Sequence, residues 1–132
     1  MERNGGLLNG RLAAVIATLG HGDTLTVADA GLPVPAMVEV LDLALVPGVP
    51  SFAQTLKAIL GRLEVESAVI AADFEERSSD AYRDAIALLG KTSLRSVSHA
   101  ALKQLTGDTR LVVRTGEFTA YANVILVAGV PF

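Results

Sequence analysis

The chain contains no cysteine. That absence excludes disulfide frameworks, thiolate nucleophiles and every zinc or iron–sulfur site built on cysteine, and it fits a reducing compartment. Histidine is scarce as well: His21 and His99 are the only two. No His-x-x-x-His pair exists, so a zinc site has little to build on. Basic residues are not in excess, with 11 Lys+Arg against 14 Asp+Glu for a net charge of −3. Without a basic footprint for a phosphate backbone, nucleic-acid binding is not expected. No apolar run approaches the ~18 residues of a membrane span. The opening Met1-Glu2-Arg3-Asn4-Gly5-Gly6 has no basic-then-apolar secretion signature. The expectation is a cytoplasmic protein with no membrane span. Two nucleotide and hydrolase signatures are also missing. Gly20-His21-Gly22 lacks the third glycine of a dinucleotide fingerprint and precedes a strand, and no Gly-x-Ser-x-Gly elbow occurs.

What remains is apolar. Of the 132 residues 51% are hydrophobic and 19% charged, which excludes disorder and provides for a sizeable core. The length predicts one domain, residues 1–132. A chain this short has difficulty burying so much apolar surface within itself, which favours a homo-oligomer.

Helix and strand signals alternate along the chain. Turn chemistry at Asn4-Gly5-Gly6 and Asn9-Gly10 precedes Leu12, Val15, Ile16 and Leu19, whose spacing predicts an amphipathic helix stopped by Gly20. Thr24 to Asp29 reads as a strand, ended by Gly31-Leu32-Pro33-Val34-Pro35, and Val38 to Leu45 as a second. Ser51 is an N-cap candidate for a helix to about Leu63. Val65 to Ala72 is a nearly continuous apolar run, as in a strand buried on both faces, and Asp73 to Glu76 leads out of it. Ser78-Ser79-Asp80 offers caps for a helix through Leu89 with Gly90 after it, and Leu94 to Val97 is a short strand before a helix capped by Ser98. Strands at Leu111-Val112-Val113 and Val124 to Val127 flank a polar loop, Thr115 to Asn123. Such alternation predicts an α/β fold, a central mixed sheet with flanking helices, whose ligand site lies at strand ends and the loops that follow.

Few residues are suited to chemistry. His21, between two glycines, is uncrowded and close in sequence to Asp23, whose carboxylate is placed to orient the ring; near neutrality such a group serves as acid or base. The competing reading makes it a helix cap. His99 and Lys103 stand four apart on one helix face, suited to sugar hydroxyls or an anion, or simply to solvent. Asp29 ends an apolar strand just before Ala30-Gly31, where carboxylates often hold hydroxyls, although an Asx turn uses the same group. Arg114, Glu117, Tyr121 and Asn123 crowd one loop, a mixture suited to a small polyol or to bonding between the flanking strands.

Three stretches together resemble the D-ribose pyranase family, the ribose mutarotases. They are Leu19-Gly20-His21-Gly22-Asp23-Thr24-Leu25 with Asp29-Ala30-Gly31-Leu32-Pro33, then Gly48-Val49-Pro50-Ser51-Phe52, and Arg114-Thr115-Gly116-Glu117 with Tyr121-Ala122-Asn123-Val124-Ile125-Leu126. The resemblance runs over essentially the whole chain and departs most between Asp73 and Ser98. It implies interconversion of pyranose and furanose D-ribose with no cofactor and no metal. His21 is the implied catalytic acid; Asp29 and His99 are implied sugar-binding groups, and Tyr121, Ala122 and Asn123 the segment closing over the sugar, with Lys103 a less secure member. It also implies a ring assembly, typically two stacked pentamers, in which each site is completed by a neighbouring chain. The fucose mutarotases share the Gly-His-Gly-Asp stretch but usually carry a second His after Asp-Ala, where this chain has Gly31, so the ribose branch is favoured. A non-catalytic ribose-binding subunit is the further alternative. In the expected mechanism His21 protonates the ring oxygen while a base takes the anomeric proton, the aldehyde opens, and the 4-hydroxyl recloses on C1.

Overall fold

A computed structural model describes residues 6–132; the turn expected at Asn4-Gly5 lies outside the described residues. Asn9 opens the first helix, its side chain accepting from the Leu12 amide at 2.9 Å, and α1 runs Gly10–Thr18. The helix stops at Leu19, which is extended. Gly20 follows it as expected but is not left-handed; the positive φ of this turn, 87°, falls on Gly22. Strand β1 (Thr24–Ala28) and the short β2 (Val40–Asp42) come next. β2 is three residues where Val38 to Leu45 was expected. It is an edge strand paired only with β5, and that partner ends at Arg114 opposite Asp42.

Ser51 caps α2 (Phe52–Leu60) in a reciprocal capping box with Gln54, satisfying two amides that would otherwise be orphaned. Backbone bonds from Arg62 and Leu63 back to Ile59 tighten the chain after Leu60, so the helix ends one turn before Leu63. Strand β3 (Val65–Ala71) follows. Residues Asp73 to Glu76, expected as a simple exit from the strand, instead lie in a helix, α3 (Ala72–Arg77). Acidic residues in its first turn suit the helix dipole, and buried Phe74 anchors it edge-to-face on Phe52 and Tyr82, with centroids 5.8 and 5.4 Å away. Ser79 caps α4 (Asp80–Leu89) and Ser98 caps α5 (His99–Thr106), on either side of β4 (Ser93–Val97). β5 (Leu111–Arg114) and β6 (Val124–Ala128) complete the chain.

The sheet order is β2-β5-β1-β6-β3-β4. β6 is antiparallel to both β1 and β3, and the remaining pairs are parallel. All five parallel strands therefore end at one sheet edge, where β6 begins. On one face Leu25, Val27, Leu111, Val113, Ala68, Ile70, Val124 and Leu126 pack with Leu12, Phe52, Leu56, Ile59, Phe74 and Ala85 from the helices. Full burial of each large side chain here stabilises by ~1.5–3 kcal/mol. The opposite face is more thinly covered: Leu102 of α5 packs on Val69 and Ile125, and Leu32 on Ala28 and Val112.

Candidate active site

The carboxyl ends of the parallel strands gather most of the chemically capable side chains, as expected of an α/β sheet. Asp29 follows β1 and Asn123 precedes β6, so the antiparallel pairing of these strands sets the two side by side. They clasp: the Asp29 amide donates to Asn123 Oδ1 at 2.8 Å, and Asn123 Nδ2 donates to Asp29 Oδ2 at 3.1 Å. Asn123 is fully buried, so the clasp satisfies polar groups that would otherwise be costly. Asp29 Oδ1 accepts from the Gly31 amide at 2.9 Å. The Asx turn and the strand-end carboxylate are thus both present in one residue, and each oxygen keeps a lone pair for a further donor.

Tyr121 lies just before this clasp with a φ of 65°. The Asn123 amide donates to the Tyr121 carbonyl at 2.7 Å, folding the chain tightly around buried Ala122. The Tyr121 ring meets the His99 ring edge-on at 4.9 Å, and the Arg77 guanidinium lies over it at 4.8 Å. His99 Nδ1 is buried without a hydrogen-bond partner, an unusual condition for a polar atom that is to stay in a dry interior. Lys103 shares the helix with His99 and is exposed, with no partner among the described residues. Arg77 escaped the sequence reading: 44 residues before Tyr121, it carries no local signature of the contact.

Arg114 and Glu117 are engaged structurally. Arg114 Nε donates to the Ala30 carbonyl at 2.8 Å and Nη1 to Asp42 at 3.4 Å. Glu117 Oε1 accepts from the Phe52 amide at the start of α2 at 3.0 Å, and Oε2 accepts from Thr119 at 2.8 Å. Both still border an open cleft of about 400 Å³, lined also by Asp29, Gly31 and Phe118. The 115–117 segment is held against the Gly48-Val49-Pro50 loop by bonds from Gly116 N to Pro50 O at 2.8 Å and Gly48 N to Gly116 O at 2.6 Å. The sequence motifs containing Gly48 and Gly116 are therefore one structural unit.

His21 is elsewhere. It precedes β1, beside the end of β6, where the Gly22 amide bonds the Ala128 carbonyl at 2.8 Å. Between Thr24 and Ala28 lie four residue steps of β1, or about 13 Å, so one chain does not bring His21 to Asp29. Neither expected local role of His21 is realised. Asp23 Oδ2 accepts instead from the Gly20 amide at 2.8 Å and from Arg110 at 3.1 Å, and the His21 ring caps no helix carbonyl. Its Nε2 meets Glu66 Oε2 at 2.9 Å. Glu66 is the second residue the sequence reading missed, at a separation of 45 positions.

Among the described residues no three His, Asp or Glu side chains group to hold a metal ion, and no helix is long and apolar enough to cross a membrane.

The profile of the RbsD / FucU transport protein family matches residues 1–131. The chain is 48% identical over 126 residues to the D-ribose pyranase of Coprothermobacter proteolyticus, covering 96% of each. The structure of Bacillus subtilis RbsD complexed with D-ribose superposes with a TM-score of 0.94 at 42% identity over all of both chains. The fucose mutarotase of Streptococcus pneumoniae in complex with L-fucose shares the fold, with a TM-score of 0.73 and 21% identity over 93% of this chain and 94% of that one.

Proposed function

The chain belongs to the RbsD / FucU transport protein family, and from that premise we propose that it is a D-ribose pyranase, an isomerase interconverting the β-pyranose and β-furanose forms of D-ribose. The observation that carries this reading is the full-length similarity to a D-ribose pyranase at 48% identity, against 21% for the fucose mutarotase. The residues at the strand ends fit the assignment.

Asp29, braced by Asn123 and Gly31, accepts hydrogen bonds from sugar hydroxyls through its remaining lone pairs. His99 supplies a ring nitrogen with no protein partner, and the Tyr121-Ala122-Asn123 turn closes over the sugar. Leaving one such buried partner unsatisfied costs ~1–3 kcal/mol, which is the basis for choosing among sugars. His21 gives a proton to the ring oxygen, the C1–O bond breaks as a base takes the anomeric hydroxyl proton, and the open aldehyde results. The 4-hydroxyl then adds to C1 by the reverse transfers. Each positioned proton transfer contributes about 10²–10⁴-fold, and no covalent intermediate is required.

This chemistry needs His21 beside the sugar, and β1 separates His21 from Asp29 within one chain. A second copy therefore brings its His21 to the site, in a cytoplasmic homo-oligomer of two stacked pentamers. Exposed apolar residues such as Leu45, Val46, Val49 and Leu94 are compatible with burial between copies.

Proton NMR saturation transfer on D-ribose at equilibrium tests the reading, with L-fucose as the control sugar. Protein-dependent transfer between pyranose and furanose anomeric lines, lost in His21→Ala, is the expected result. Transfer only between fucose anomers would move the chain to the fucose branch. Ribose-dependent stabilisation in a thermal melt without transfer would make it a binding subunit.

A further inference from the structure

We infer that Glu66 is the positioning residue for His21, holding the imidazole by Nε2 so that Nδ1 is the nitrogen presented to the sugar. The inference deepens the reading above and rests on His21 being the acid of that reaction.

The backbone around Glu66 supports this independently of the contact itself. In the β3–β6 pairing Val65 stands opposite Ala128 and Ser67 opposite Val127, so Glu66 is an extra residue on β3. Such bulges re-aim a side chain that regular alternation would direct elsewhere. Gly129 keeps the bulge in place: a Cβ there would come within 3.1 Å of Glu66 Cβ and 3.4 Å of its amide nitrogen. The other wall is equally fixed. Gly22 takes its left-handed turn and bonds Ala128, while Ala128 N donates to the Asp23 carbonyl at 2.8 Å. The His21 loop and the Glu66 bulge are thus both tied to the end of β6, His21 from one side and Glu66 from the other.

The hydrogen bond fixes the ring's chemistry. A carboxylate only accepts, so Nε2 must carry the proton in the 2.9 Å contact with Glu66 Oε2. In the neutral ring Nδ1 is then the basic atom, and in the protonated ring the Nδ1 proton is the one free to move. Orientation by a carboxylate on the remote nitrogen is a general means of fixing both tautomer and direction in acid–base histidines. Asp23, the carboxylate nearest His21 in sequence, does not compete, because the Gly20 amide and Arg110 hold it. With side-chain exposures of 63% for His21 and 45% for Glu66, the pair is accessible to a second copy and to its sugar.

The test compares wild type, Glu66→Ala and Glu66→Gln in the intact assembly by saturation transfer, with thermal melts and ¹⁵N-resolved spectra of the His21 ring. Glu66→Ala is expected to lower kcat at least ~10-fold with KM within about twofold, and to replace the single Nε2–H tautomer by a mixture. Glu66→Gln keeps an oxygen acceptor and is expected to recover kcat to within about threefold of wild type. Wild-type kcat in Glu66→Ala, or an unchanged tautomer spectrum, would overturn the role of Glu66 while leaving the pyranase reading intact. Equal losses in both variants that track a lowered melting temperature would reduce Glu66 to a structural residue. Absence of ribose transfer in the wild type would instead overturn the pyranase reading itself.

Discussion

His21 and Asp29 flank the same strand but at opposite ends of it. The first is tied to Glu66 at 2.9 Å and the second to Asn123 at 3.1 Å. The sheet is one layer of parallel strands with antiparallel β6 inserted near its centre. In the proposed reaction that arrangement supplies two half-sites, a proton-donating one at the start of β1 and a hydroxyl-binding one at its end. The proposed site is then complete only where one copy's donor meets another copy's binding half.

The Asp29–Asn123 clasp is expected to govern sugar affinity before turnover. Asn123→Ala removes both side-chain bonds and leaves the half-buried Asp29 amide without a partner and its carboxylate with one fewer, at a cost of ~1–3 kcal/mol. The melting temperature should fall and the KM for D-ribose rise by about tenfold. Asp29→Ala should raise KM at least as much, since it removes the acceptor itself. Ribose titrations of the melting temperature check both variants, and a wild-type KM in Asp29→Ala would remove Asp29 from the sugar site.

Gly116→Ala should destabilise the protein through backbone contacts alone. A Cβ at this position would stand 2.6 Å from the Val49 carbonyl oxygen and 2.8 Å from that of Val46. Backbone does not yield as a flexible side chain would, so overpacking of ~1–3 kcal/mol is expected, read as a lower midpoint in urea with an unchanged slope. Because Glu117 in the same loop caps the start of α2, the loss should extend to the loop bordering the cleft, and KM should rise alongside.

Much of the local structure was legible because its causes are local. Ser51, Ser79 and Ser98 each cap the helix expected to follow them, since a hydroxyl reaching an amide three residues on is written in adjacent letters. The alternation of Leu25 and Val27 with Thr24 and Thr26 marked β1. What escaped depends on distant partners. β2 is short because β5 is short, and α3 forms where Phe74 finds Phe52 and Tyr82. The central position of β6 has no signal in its own residues. For the site, Asp29 was named from its place at a strand end and Asn123 from the polar loop before β6, and the two are found in contact. Asp23 was the nearest carboxylate to His21 in sequence, but a backbone amide and Arg110 claim it. The true partner, Glu66, arrives through a bulge on another strand.

Arg77→Ala should weaken ribose binding modestly. The guanidinium lies 4.8 Å over the Tyr121 ring, an exposed cation–π contact worth ~0.5–1 kcal/mol, and Tyr121 holds its unusual φ beside the implied sugar pocket. Isothermal titration or the ribose dependence of exchange should show a two- to fivefold higher KM with kcat preserved. Arg77→Lys, lacking the planar face, should recover only part of the loss.

The most direct measurement is complementation between a variant lacking the proposed acid and one with weakened ribose binding, assayed at ribose well below the KM of the latter. His21→Ala and Asp29→Ala chains, carrying different affinity tags, are co-expressed, the mixed assemblies are isolated through both tags, and ribose ring interconversion is followed by saturation transfer. A site drawing His21 from one copy and Asp29 from the next should be whole in about a quarter of positions under random heterologous assembly, so activity should return to roughly that fraction of wild type. Mixed assemblies no more active than the Asp29→Ala parent would contradict a site shared between copies.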